Sequence, residues 1–237
     1  MSKLAIVAAL EREVSGLIKH WPHVERTFEG RTFTFFEHDD IVLVCGGIGL
    51  EAARRASEAV IALYHPTLLQ SVGFAGALHT NLRIGEIFSP SAVVDARDAS
   101  RVQIAGGNGV LVTFMEVAGS QQKAKLAQAY AAQAVDMEAA AVAAAARVHG
   151  IRFYATKVIS DESNFEMPAT ARFIDSQGRF RTAPFTIFVL LRPWLWRRTV
   201  ALARNSSKAA RMLAEHLQAF RPHGSDVAEV LELKRRN

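Results

Sequence analysis

The chain has a single cysteine, Cys45, which excludes an internal disulfide and a cysteine-based zinc cluster and fits a reducing compartment. It has no apolar run approaching the roughly 20 residues that a membrane span needs. The alanine-dominated stretch from Ala139 to Ala146 falls far short of that. No linker divides the sequence, no segment repeats, and no established nucleic-acid motif occurs, so one domain over residues 1–237 and no nucleic-acid partner are expected. The start, Met1-Ser2-Lys3 and a short apolar run broken at Glu11, lacks the shape of a secretory signal, which points to a cytoplasmic location.

What is present suits a buried core, since half of the 237 residues are apolar. The net charge of +5 is concentrated: Arg192, Arg197, Arg198, Arg204, Lys208 and Arg211 fall within twenty residues, and Lys234, Arg235 and Arg236 follow near the end. Such a cluster fits either an anionic partner or a solvated helix face.

The pattern opens with a buried strand, Leu4 to Leu10, and a helix from Glu11 to His20 with Val14, Leu17 and Ile18 on one face. Strands follow at Thr32 to Phe36 and Ile41 to Cys45, then a helix from Leu50 to Tyr64 stopped by Pro66. Further strands are expected at Leu68 to Val72, Glu86 to Val94, Gly109 to Phe114, Ala134 to Met137 and Arg152 to Ser160. Helices are expected at Gln121 to Ala131, Glu138 to Val148 and Thr199 to Phe220. This alternation predicts an α/β fold with a mixed, mostly parallel central sheet, a distorted barrel with helices on both faces.

Three features point to chemistry. Gly47-Ile48-Gly49-Leu50-Glu51-Ala52 matches a loose dinucleotide fingerprint, but it is not on the first βα unit, and the strand after it ends without an acid to hold a ribose. Gly73-Phe74-Ala75-Gly76 follows a strand and reads as a turn whose main-chain amides can approach a ligand. Glu138 and Asp161 each end an apolar run, so a parallel sheet carries both to the edge where such sheets bind ligands, with Glu13 just after the first strand. Each carboxylate also has a bland reading: Glu138 at a helix start favoured by the dipole, Asp161 as a cap of the next turn.

Taken in order, Ala8 to Val14, Gly46 to Ala53, Gly73 to Gly85, Val135 to Ala139 and Ile159-Ser160-Asp161 resemble the purine nucleoside phosphorylase and nucleosidase superfamily, above all its methylthioadenosine/S-adenosylhomocysteine nucleosidase branch. The resemblance implies that Asp161 protonates the purine N7, that Glu138 grips the ribose hydroxyls, and that Met137 packs beneath the sugar. It implies further that Glu13 activates the attacking water, that Ser160 supports Asp161, that Phe74, Ala75 and Gly76 line the site, and that backbone near Gly119 holds the base. An acid in Asp161's role must carry a proton near neutral pH, which burial can arrange. No cofactor or metal is implied, with phosphate as co-substrate only for a phosphorylase. A homo-oligomer acting on a small-molecule purine nucleoside is the implied assembly.

Two departures refine this. Phe74 stands where the family usually has serine or threonine; it cannot donate to phosphate, so hydrolysis is favoured over phosphorolysis, with Arg12, Arg83 and Arg97 as the remaining phosphate candidates. The stretch Phe165 to Arg198 is long and aromatic, and with Arg172 to Asp175, Gly178 to Phe180 and Arg192 to Trp194 it resembles the hopanoid-associated phosphorylase subfamily. That resemblance implies removal of adenine from adenosylhopane, with the aromatic stretch as a wall for a large apolar 5′ group. Tryptophan beside arginine in Phe185 to Arg198 is also the composition of a peripheral membrane contact, alongside a lid or a subunit interface. Readings of other classes are a dinucleotide-dependent oxidoreductase and a membrane-binding protein on a degenerate nucleosidase scaffold.

Overall fold

The computed structural model describes residues 4–166, 171–173, 175, 177–190 and 192–219. Met1 to Lys3 and the basic residues Lys234, Arg235 and Arg236 lie outside the described residues, as does the expected helix end at Phe220.

The elements run β1 (Leu4–Ala8), α1 (Glu11–Ile18), β2 (His23–Phe28), β3 (Arg31–His38), β4 (Ile41–Cys45), α2 (Leu50–Tyr64), β5 (Leu68–Ala77), β6 (Ile87–Phe88), β7 (Ala92–Asp95), β8 (Arg101–Gln103) and β9 (Val110–Thr113). They continue with α3 (Ser120–Tyr130), β10 (Ala134–Asp136), α4 (Ala139–Val148), β11 (Arg152–Asp161), a 3-10 turn (Ala171–Phe173), α5 (Thr182–Leu190) and α6 (Pro193–Ala219).

β1 shows how the layers form. All five of its residues are buried, because successive side chains of a strand point to opposite faces and both faces are covered. Ala5 and Val7 pack with Ala53, Ala56 and Val60 of α2 and Val142 and Ala146 of α4. Leu4, Ile6 and Ala8 pack with Val14 of α1 and Leu213 and Leu217 of α6. Small residues let these helices approach closely; a methyl group added at Gly16 of α1 would sit 2.8 Å from Ala214 of α6.

The sheet runs β2-β3-β4-β1-β5-β10-β9-β7-β8, and β11 joins it by pairing with β5 and β6. It is mixed as expected, but parallel pairs are only half of it: β1–β4, β1–β5, β5–β11, β9–β10 and β7–β9 are parallel. β2–β3, β3–β4, β5–β10, β6–β11 and β7–β8 are antiparallel. The sheet is not closed into a barrel; β2 and β8 form its two ends.

Other differences from the expected elements have local causes. β2 is polar and largely exposed because it is an edge strand paired only with β3. The expected strand Glu86 to Val94 is two strands, β6 on β11 and β7 on β9, separated around Pro90, which cannot donate to a ladder. The last helix starts six residues before Thr199, with Pro193 at its first position, where proline's missing N–H costs nothing. The aromatic run before it forms α5, tied to α6 by Trp196 Nε1 donating to the Val189 carbonyl at 3.0 Å.

Candidate active site

β5 organises the site. The expected strand ends at Val72, but β5 continues through Gly73, Phe74, Ala75 and Gly76 to Ala77, so these residues are extended sheet and not a ligand-binding turn. The glycines instead make room for carboxylates. A Cβ at Gly73, whose φ is +148°, would lie 2.6 Å from Glu13 Oε2, and one at Gly76 would lie 2.9 Å from Asp161 Oδ2 and 3.2 Å from the Lys123 side chain.

Glu138 and Asp161 do converge, though not as parallel strand ends. β11 runs parallel to β5 and β10 antiparallel to it, so the two acids reach the site from opposite directions on either side of the same strand. The β5–β11 register shifts between Ile159 and Asp161, an irregularity of the kind that re-aims a side chain, and it leaves Asp161 opposite Gly76.

The bland readings of the two acids fail on geometry. Glu138 is the N-cap of α4, not its first residue, and its carboxylate caps nothing there. Its Oε1 accepts from the Gly49 amide at 2.9 Å, 89 residues away, and its Oε2 from the Met137 amide at 3.2 Å. The capping is done by Asp136, whose Oδ2 accepts from the Ala139 amide at 2.9 Å. Asp161 accepts from Ser160 Oγ at 2.7 Å on Oδ1 and is ion-paired with the Lys123 ammonium on Oδ2. Both its oxygens therefore face donors, an arrangement suited to an ionised carboxylate more than to the pre-protonated acid expected from burial.

The charge balance around Gly73, three residues back along β5, is unusual. Glu13, Glu138, Asp136 and Lys157 are gathered there, with Lys157 Nζ 2.9 Å from Asp136 Oδ2 and donating to Ser71 Oγ at 3.0 Å. Thr113 Oγ1 donates to Asp136 Oδ1 at 2.6 Å. Burial pushes the Glu13 carboxyl up to about 8, reinforced by the charge of Glu138, while Lys157 and Arg12 pull the other way. Burial and the charge of Asp136 push Glu138 up to about 7. Burial disfavours the charged form of Lys157, but the charges of Asp136 and Glu138 hold it above the ordinary lysine value.

These groups line a cavity of about 430 Å³. Glu13, Glu138, Asp161, Met137, Ser160, Phe74, Ala75 and Gly76 all face it, as does Arg12. Gly119 does not; it is the N-cap of α3, and Val117 and Ala118 just before it line the cavity instead. Arg83 and Arg97 are also absent from the lining, Arg97 being paired with Asp95 at 2.6 Å. The aromatic stretch supplies the far wall through Phe180 and Phe185, stacked edge-on with centroids 5.3 Å apart, and α6 adds Thr199, Leu202, Ala203, Ser206 and Ser207. Two buried side-chain oxygens lack a hydrogen-bond partner among the described residues, Glu13 Oε2 and Thr199 Oγ1, and both belong to residues lining this cavity. Buried polar atoms are seldom left unpaired, so a polar ligand or water is the natural partner for both.

Sequence reasoning missed Lys123, Asp136 and Lys157. Lys157 carried a signal, a lysine in the middle of an apolar strand pattern; Lys123 carried none that sets it apart from the exposed Lys125 two residues on. The glycine fingerprint holds no pyrophosphate cradle: the amides of Gly47, Ile48 and Gly49 are taken by the Ala9 carbonyl, the Gly178 carbonyl and Glu138. Among the described residues no group of three or more histidine, cysteine or acidic side chains is placed to hold a metal ion.

Comparison with known proteins agrees with this architecture. The phosphorylase superfamily pattern matches residues 3–117 and 96–190. The 5′-methylthioadenosine/S-adenosylhomocysteine nucleosidase of Glaesserella parasuis is 24% identical over 205 residues, 69% of this chain and 87% of that protein. The enzyme of that name from Hydrogenovibrio crunogenus is 30% identical over 95 residues, 38% of this chain, and the match spans only 40% of that relative's length. Among solved structures, the Helicobacter pylori nucleosidase of the same name superposes with a TM-score of 0.64 at 16% identity, covering 93% of this chain and 99% of that one. Futalosine hydrolase of Helicobacter pylori superposes with a TM-score of 0.65 at 16% identity, covering 92% and 98%. At these identities the structural likeness is one of fold. The match over most of the chain settles the family: this chain belongs to the phosphorylase superfamily and is an enzyme.

Proposed function

We propose that this enzyme hydrolyses the N-glycosidic bond of an adenine nucleoside. The observation that carries the reading is Glu13 Oε2, buried in the cavity wall without a partner, beside a carboxylate fixed by two backbone amides. In this reading Glu13 takes the proton of the attacking water, and Glu138 holds the ribose hydroxyls while positive charge grows on the sugar ring. Met137 packs under the ring, and Asp161, held by Ser160, delivers a proton to the purine N7. Phe74 on the cavity wall offers no donor to phosphate, which favours water as nucleophile; Arg12 is the one named phosphate candidate that faces the cavity. The test is adenine release with and without inorganic phosphate. Free ribose formed without phosphate supports hydrolysis, and ribose 1-phosphate formed only with it overturns this reading in favour of phosphorolysis.

The finer part of the proposal is a large apolar 5′ substituent of the adenosylhopane kind, supported by Phe180, Phe185 and Leu202 on the cavity wall. The same α5–α6 segment exposes Leu190, Trp196 and Val200. Between Asp175 and Glu215 the chain carries eight arginines and lysines and no acidic residue. That combination suits an anionic lipid surface from which such a substrate would enter. Among the described residues no helix is long and apolar enough to cross a membrane. The enzyme is further proposed to work as a homo-oligomer.

A further inference from the structure

Lys123 is a buried charged group at the site without a role so far. It lies in the first turn of α3, is 1% exposed, and lines the cavity where purine-binding is proposed. Its ammonium pairs with Asp161 Oδ2 and donates to the Glu162 carbonyl at 2.7 Å. A buried ammonium is costly unless paired and hydrogen-bonded, so this pair is held as a unit. Gly76 is what admits it: a side chain there would press on both Asp161 and Lys123.

We propose that Lys123 is the positioning residue and proton reservoir for the departure of the base, an inference that rests on the nucleosidase reading above. Asp161 accepts on both oxygens, so the mobile proton of the pair stands on Lys123. As the C1′–N9 bond breaks, its electron pair moves into the purine. A proton passes from Lys123 to Asp161 Oδ2 and on to N7, which leaves Asp161 a carboxylate as before and Lys123 a neutral amine. The water oxygen bonds to C1′ and the proton released from it goes to Glu13. Return of that proton to Lys123 through solvent restores the starting state. Ser160 Oγ and the Glu162 carbonyl keep the pair aligned throughout.

The experiment compares Lys123→Met and Lys123→Arg with wild type on two substrates sharing one 5′ group: the adenine nucleoside, whose base needs N7 protonation, and the 4-nitrophenyl riboside, whose leaving group needs none. Arginine keeps the charge but does not give up its proton. Both variants are expected to lose about 10²-fold in kcat on the adenine nucleoside, the low end for losing acid catalysis. KM and the 4-nitrophenyl rate should stay within a few-fold of wild type. Equal losses on both substrates would overturn the proposal by making Lys123 merely structural, and so would full activity of Lys123→Arg on adenine nucleoside. If Lys123→Met does not fold, Lys123→Arg alone decides. Failure of wild type to release adenine from any nucleoside would instead sink the nucleosidase reading.

Discussion

Replacing Glu13 by glutamine should make the protein more stable, and increasingly so as pH rises. Glu13 is buried, and its pKa is raised from 4.5 to about 8 by burial and by the charge of Glu138. An unfolded chain gives up this proton near 4.5, whereas the native protein holds it to about 8, so folding takes up a proton across that window. Stability therefore falls as pH rises between the two values and flattens above the upper one. At about 1.4 kcal/mol per unit, the ceiling of this cost is on the order of 5 kcal/mol above pH 8, and the part that develops between pH 6 and pH 8 is roughly 2 kcal/mol. Glutamine has the same shape and no charge. Because Glu13 Oε2 accepts no hydrogen bond, the substitution breaks none at that atom. Urea unfolding of both proteins at pH 5, 6, 7 and 8.5 should show curves that nearly coincide at pH 5 and diverge steadily above it. A difference independent of pH, or a glutamine variant that is less stable at pH 8.5, would refute the assignment of Glu13 as a carboxyl held protonated by its surroundings.

Other outcomes follow from the same geometry. For wild type, kcat/KM should rise with pH through about 8 as Glu13 ionises and becomes able to accept the water's proton, and Glu13→Gln should abolish that limb along with most of the activity. Asp161→Asn should lower turnover by roughly two to four orders of magnitude with an unchanged circular dichroism spectrum; a near-normal rate removes Asp161 from base protonation. Gly73→Ala, whose methyl group would meet Glu13 Oε2 at 2.6 Å, should lose activity and stability together, and a fully active variant would show that Glu13 need not occupy its present place. Wild type should sediment with vesicles containing phosphatidylglycerol and not with pure phosphatidylcholine, and Trp196→Ser with Arg197→Glu and Arg198→Glu should abolish this without changing the oligomeric state measured by light scattering. If those substitutions break a dimer instead, the patch is a subunit interface.

How much of this is legible in the sequence differs from element to element. The helix Leu50–Tyr64 is bounded as read, because Pro66 enforces its end and His65 closes it in a left-handed conformation with its N–H on the Ile61 carbonyl. The three carboxylates are legible as residues that break apolar patterns, but a parallel edge is not what brings Glu138 and Asp161 together. The alternation predicts a parallel edge, whereas β10 is a three-residue antiparallel neighbour of β5, and no local pattern in Ala134–Asp136 encodes direction. In sequence, the Gly73 to Gly76 segment reads as space for a ligand's approach. Glycine marks that some group comes close, and only the folded chain says that the groups are Glu13 and Asp161. α5 and the early start of α6 were hidden because an almost uniformly apolar segment has no periodicity to read.

Placed together, these findings give the cavity a polarity that matches its proposed substrate. Around Gly73 stand Glu13 and Glu138, with Asp136 behind them and Lys157 as the cation among them, so three carboxyl groups, two of them with raised pKa, share one ammonium there. Three residues along β5, roughly 10 Å at strand spacing, Gly76 faces the Asp161–Lys123 ion pair. A glycoside breaking toward an oxocarbenium ion gains positive charge on the sugar and needs a proton on the base. In the proposed reaction the carboxyl-rich end would serve the first as its groups ionise, and the Asp161–Lys123 end would serve the second. The two ends are kept apart by one strand whose glycines leave room for one acid each, so β5 itself would set the division between sugar and base that the proposed reaction needs.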